Sequence, residues 1–170
     1  ASREMEQPVW FVLHSGLTTL TQYRARGLVW CYDRWNVEDP TSTAFGHLVG
    51  NVSSHYGATV GWQFGTINTY NGGAGGIVHE LELVCLPGRA AFGADPTVWH
   101  SYSADGVTWS QEKPKQAGKQ GDTQKRLAWR RAGLIRHTRM ERFRGTSDAQ
   151  LSMARLEAQI EPLTTRGAYG

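Results

Sequence analysis

The chain has 170 residues, 39% hydrophobic, 11% aromatic and 19% charged, a composition that folds and that excludes a disordered tract. Twenty glycines without a collagen-like period favour tight turns and short strands over long helices. The formal net charge of +3 hides a split, because eleven basic and only two acidic residues lie between Lys113 and Arg144, which makes one end basic and the rest acidic.

In chain order, Val9–Leu13, Thr18–Tyr23 and Gly27–Tyr32 are apolar, β-favouring runs that predict a meander. The chain begins with Ala rather than Met and enters an apolar run by Val9, so a fragment or processed piece of a longer protein is expected. Residues 1–30 lack a basic segment followed by an apolar core, and no apolar run has the length of a membrane span. A soluble protein is the expectation. Turn residues follow at Asp33–Asn36 and Glu38–Thr43, and His47–Tyr70 predicts short strands punctuated by Gly50, Gly57, Gly61 and Gly65. Residues 9–70 thus form one expected unit, a blade-like β meander.

Asn71–Gly76 is Gly-rich and predicts a mobile linker; no Lys-Ser or Lys-Thr follows it, as a phosphate cradle needs. Residues 77–86 predict a strand with Ile77, His79, Leu81, Leu83 and Cys85 on one face. Thr97–Ser103 predicts another, turning at Asp105-Gly106 and returning through Trp109. Lys113–Asp122 holds Pro114, Gly118 and Gly121 and predicts irregular chain, and Gln124–Arg131 and Leu134–Arg144 flank a turn expected at Gly133. Residues 150–161 alternate cleanly, as a half-exposed strand does, but their Ala, Leu, Met, Glu and Gln are also helix formers that Ser147 or Asp148 could cap. Residues 77–163 form the second expected unit. Cys31 and Cys85 lie in apolar runs without a CxxC partner and read as buried free thiols from a reducing compartment.

The order of motifs from Ser101 to Glu161 carries a resemblance. Ser103-Ala-Asp-Gly-Val-Thr-Trp-Ser, Gly118-Lys-Gln-Gly121, Arg126-Leu-Ala-Trp-Arg-Arg-Ala-Gly133 and the aromatic-basic pair that ends Arg136–Arg144 before Ser147-Asp148 follow one another over about sixty residues. In this they resemble the C-terminal region of the packaged-DNA stabilisation proteins, the tail hub or nozzle proteins of short-tailed bacteriophages, with Ala149 where that family has Pro. The resemblance implies an all-β, propeller-like protein with a C-terminal β unit, and it favours strand over helix for residues 150–161. It also implies a homo-oligomeric ring below the portal and adaptor that continues the DNA channel, retains packaged DNA, supports genome ejection and carries the needle or plug and the fibres or spikes. The expected place is the virion tail, assembled in the host cytoplasm. No catalytic residue, cofactor or metal is implied.

Other chemistries fit the residues less well. Ser103–Trp109 approaches the Asp-box hairpin of propeller glycosidases but is one residue short, and an Asp box is a folding element rather than an active site. Glu80 and Glu82, the available carboxyl pair for a carbohydrate-processing or carbohydrate-binding domain, fall on the presumed polar face of a strand. His79-Glu80 lacks the second His of a zinc helix, and His14, His47, His55, His100 and His137 show no ligand spacing. The basic stretch supplies the interface or DNA-channel candidates Arg126, Arg130, Arg131, Arg136, Arg139, Arg142 and Arg144. Without a base-reading motif, any contact with double-stranded DNA is expected to be non-specific and salt-sensitive. Trp109 and Trp129 are the expected core anchors.

Overall fold

In the computed structural model, which describes residues 11–50, 52, 54–90, 92–146 and 151–164, the chain is all-β, with no helix among the described residues. An N-terminal sheet holds β1 (Arg26–Cys31), β2 (Arg34–Glu38) and β3 (Phe45–His47) in that order, and a small ribbon pairs β4 (Ser54–His55) with β5 (Ala58–Thr59). The β1–β2 hairpin turns on Tyr32 and Asp33, both at positive φ (54° and 59°), the signature of a tight hairpin turn. The turn expected over Asp33–Asn36 is therefore shorter, and Arg34–Asn36 belong to β2. Val9 and Trp10 lie outside the described residues, and Phe11–Leu13 and Thr18–Tyr23 join no ladder.

The rest forms two facing sheets. The first has the order β10 (Lys113–Gln116), β9 (Thr97–Ser103), β12 (Thr138–Gly145), β6 (Trp62–Gly65), with β7 (Thr69–Tyr70) also on β12; the second has the order β11 (Leu127–Ile135), β8 (Gly76–Leu86), β13 (Ser152–Pro162). Strands β6 and β7 thus join the C-terminal unit, so the division expected near residue 70 falls before residue 62. The reason is apolar: Trp62 stacks on Phe64 at 5.9 Å and Phe64 on Phe143 of β12 at 5.3 Å. Leu83, Leu127 and Trp129 of the second sheet meet Val98 and Phe143 of the first. Phe143 is wholly enclosed, and burying a side chain of this size stabilises by roughly 1.5–3 kcal/mol.

Period two holds along β8 only in part. Leu81 and Leu83 face the core as expected, but Val78, not Ile77 or His79, is buried beside Ala132 and Ile135. The registers shift between Arg130 and Gly133 of β11 and between Gln159 and Ile160 of β13, both opposite His79. A bulge there moves the inward face by one residue. Gly133, expected as a turn, sits inside β11 at this bulge with φ 108°, and a Cβ there would come within 3.4 Å of Arg139 Nη1. The chain reverses instead at Arg136-His137. Residues 71–76, expected as a mobile linker, form a bonded turn: Ala74 N donates to Asn71 O (2.8 Å), and Asn71 Nδ2 to Gly75 O (2.7 Å) and Leu163 O (3.2 Å).

Candidate assembly interface

The outer face of the second sheet is a charge ladder. Glu80 and Glu82 project from β8, and the residue opposite Glu80 on β11 is Arg130. Arg130 Nε donates to Glu80 Oε2 at 2.9 Å, Arg126 Nε to Glu82 Oε1 at 2.8 Å, and Arg126 Nη2 reaches Glu80 Oε1 at 3.3 Å and Glu82 Oε2. The hydrogen bond from Arg126 holds the Glu82 carboxyl below the usual carboxylate range against the cost of its desolvation. Such exposed pairs add little stability, but they fix where the guanidinium forks point. Both Arg side chains keep most of their surface, 60% for Arg126 and 76% for Arg130.

On the outer face of the first sheet the side chains form a second ladder. Arg142 lies over the Trp109 ring at 4.1 Å and donates from Nε to Ser101 Oγ at 3.1 Å; Arg144 grips Glu112 with two bonds of 2.5 Å. The segment between is folded by Asp105, whose Oδ1 accepts from Ser103 Oγ (2.8 Å), Val107 N (2.9 Å) and Thr108 N (2.7 Å). The backbone donors of Thr108 and Val107, then Ser103, hold that carboxyl far below its usual range. This turn lays Trp109 against the sheet under Arg142, half-buried, so it is not the core anchor expected from sequence. The returning strand begins later, at Lys113, and runs through Pro114 because it is an edge strand, where a missing N–H is tolerated. Trp129, by contrast, is 3% exposed in the core and donates from Nε1 to Lys113 O at 2.9 Å.

Arg139, expected at a surface contact, is interior. Along β12, Arg139, Glu141 and Phe143 share the inward face, because side chains alternate strictly there. Arg139 Nε donates to Glu141 Oε1 at 2.6 Å and Nη2 to Ala132 O at 2.9 Å, while the guanidinium lies 3.9 Å from the Tyr102 ring centre. His100 Nε2 is 2.7 Å from Glu141 Oε2, which requires the imidazole proton on Nε2. Burial opposes ionisation of Glu141, but the bonds from His100 and Arg139 outweigh it and hold the carboxyl below its usual range. Sequence reading missed this cluster, although a signal was present: His100, Arg139 and Glu141 fall at the same period-two positions as core residues Val98 and Phe143.

Of the remaining candidates, Arg131 is exposed at φ 53° within the bulge and Arg136 is exposed in the β11–β12 turn. The structure therefore divides the basic stretch into Arg126 and Arg130 on one outer face, Arg142 and Arg144 on the other, Arg139 inside, and Arg131 and Arg136 projecting at the bulge and the turn. Glu80 and Glu82 face arginines. Among the described residues no group of three or more His, Cys, Asp and Glu is gathered as a metal ion needs.

The C-terminal part is thus a two-sheet sandwich whose outer faces carry ladders of paired charges. A family model described as Bacteriophage P22 Gp10, beta-sandwich, matches residues 61–161, and one described as Bacteriophage P22 Gp10, beta-propeller, matches residues 1–53. The chain belongs to this family, the DNA stabilisation or tail hub proteins of short-tailed phages, and is a phage tail-associated structural protein. The sandwich match begins at Gly61, next to the first residue of β6. No curated protein matches the chain.

Proposed function

We propose that the protein is a subunit of the tail hub, or nozzle, ring of a short-tailed phage. In this reading the ring continues the DNA channel below the portal and adaptor, retains the packaged genome until ejection, and gives the needle or plug and the fibres or spikes their attachment. The subunit acts by assembly and not by catalysis, and it joins the virion in the host cytoplasm. The observation that carries the reading is the match of both parts of the chain to one tail protein family. The exposed cations Arg131 and Arg136 support it, since they are placed to meet an acidic neighbour or, through phosphates alone, the DNA in the channel.

The test is assembly of Arg131→Glu/Arg136→Glu protein onto tails across a salt series. Both side chains are exposed, so the fold should survive and incorporation should fall, most at low salt where exposed charges are least screened. Wild-type incorporation at every salt concentration would remove these two residues from the reading.

A further inference from the structure

The edges of the sandwich are unequal. Strand β10 carries Lys113, Pro114 and Lys115, β6 and β7 span four and two residues, and β11 is bulged beyond Arg130 but regular from Leu127 up to it. Lysines, proline, short length and bulges are devices that keep an edge from pairing. Strand β13 carries no lysine, and no proline before its final residue: it runs eleven residues, pairs with β8 on one side with register shifts at Met153/Arg155 and Gln159/Ile160, and has no strand partner on the other among the described residues. On its core-side face Leu156 packs against the core, but Ala158 is exposed and Met153 and Ile160 are 38% and 39% exposed. A free edge and a partly uncovered apolar face on one strand point to another chain.

At the opposite end of the same sheet, an open cleft runs along the outer edge of β11, lined by Lys113, Pro114, Lys115, Arg126, Ala128 and Arg130. Its charged groups are all cations. Strand β13 offers carboxylates at Glu157 and Glu161, held by partners that are themselves exposed, Arg155 (2.5 Å) and His79 (2.8 Å), and such pairs exchange at little cost.

We infer that β13 of one subunit lies in the β11 cleft of the next, so that the sheet β11-β8-β13 continues from copy to copy around the assembly. The inference rests on the ring reading and names the contact that would close it. Direction agrees: β11 and β13 are each antiparallel to β8, hence parallel to each other, and copies related by rotation about an axis along the strands bring them together parallel. Register agrees too. With Gln159 opposite Ala128 of the next copy, Glu157 faces Arg126 and Glu161 faces Arg130 on the outer side, while Ala158 meets Leu127 and Ile160 meets Trp129 on the inner. All five pairs precede the bulge of β11, and on β13 they span its register shift against β8 at Gln159/Ile160. A shift of two residues in one direction sets Arg155 against Arg126, in the other it leaves Arg130 without a carboxylate, and a shift of one puts the glutamates on the apolar side. The contact is heterologous, as a closed ring needs.

The full-length protein carrying Ala128→Cys and Gln159→Cys, oxidised mildly, tests this. We expect disulfides joining residue 128 of one copy to residue 159 of the next, giving a ladder of covalent multimers that neither single variant gives. Adding Glu157→Lys/Glu161→Lys, on exposed side chains, should abolish the ladder. Rings seen by electron microscopy without the 128–159 disulfide would overturn the pairing and leave the ring reading standing; the disulfide in open chains that never close would do the reverse. Ala158→Cys tests the competing two-fold arrangement. Covalent dimers through residue 158, or no cross-link between copies at all, would overturn the inference.

Discussion

The N-terminal sheet and the C-terminal sandwich are built from similar strands and treat their apolar residues in opposite ways. In the sheet of β1–β3, Val37 is buried, yet Leu28, Val29, Trp30, Trp35 and Phe45 are about half exposed or more. In the sandwich, Leu81, Leu83, Leu127, Trp129 and Phe143 are each 3% exposed or less. One sheet has apolar residues on both faces that the described residues cover only in part; two sheets cover each other. The contrast teaches where specificity lies. The sandwich encloses its own core and ties most of its arginines to its own glutamates, whereas the three-stranded sheet presents aromatic surface of the kind that marks a contact with another element.

The largest effect expected from this contrast is at Trp129. Trp129→Ala should cost about 3–5 kcal/mol, read as a lower denaturant midpoint, while Trp30→Ala, at a side chain more than half exposed, should fall within about 0.5 kcal/mol of wild type. Equal losses at the two positions would dissolve the distinction. Close behind comes the internal pair: Glu141→Ala leaves Arg139 buried beside His100 without its carboxylate, a loss of about 3–5 kcal/mol. Replacing Arg139 and Glu141 together by apolar residues should recover much of that loss, because no buried charge is then left over.

The same pair gives a pH dependence of known sign. The Glu141 carboxyl is held below its usual range in the fold, so the unfolded chain takes up a proton first as pH falls. The stabilisation is full at neutral pH and is lost progressively below about pH 5. Chemical denaturation from pH 7 to pH 3 should show this decline, shallower in Glu141→Gln; an unchanged slope in that variant would take Glu141 out of the acid response. A smaller effect is expected at the bulge, where Gly133→Ala puts a side chain at φ 108° and should cost about 1–3 kcal/mol. Smallest is Glu112→Ala on the outer face, about 1 kcal/mol or less, because its partners Arg142 and Arg144 remain partly hydrated.

Much of this architecture was legible residue by residue. The alternation of β8 from Glu80 to Leu83, the strand over Thr97–Ser103, and the placement of Glu80 and Glu82 on a polar face all follow from period two, since a half-buried strand writes its face into its sequence. The strand nature of residues 152–162 was not decided by composition, because Ala, Leu, Met, Glu and Gln also suit a helix; pairing with β8 decides it. What sequence concealed was long-range. The bulge opposite His79 depends on three strands meeting, Pro114 is admitted only because β10 ends its sheet, and Trp109 leaves the core because Asp105 folds its segment outward. Arg139 read as a surface cation because its ion pair with Glu141 is enclosed by His100 and Tyr102 only when β9 and β12 pair.

The central claim is that these subunits assemble into a ring on the tail axis, and electron microscopy of the purified full-length protein, alongside intact particles, tests it most directly. The account predicts closed rings of one size with a central opening wide enough for duplex DNA, and matching density on the tail axis. Discrete monomers at high concentration together with particles whose tail density persists when this protein is absent would contradict it.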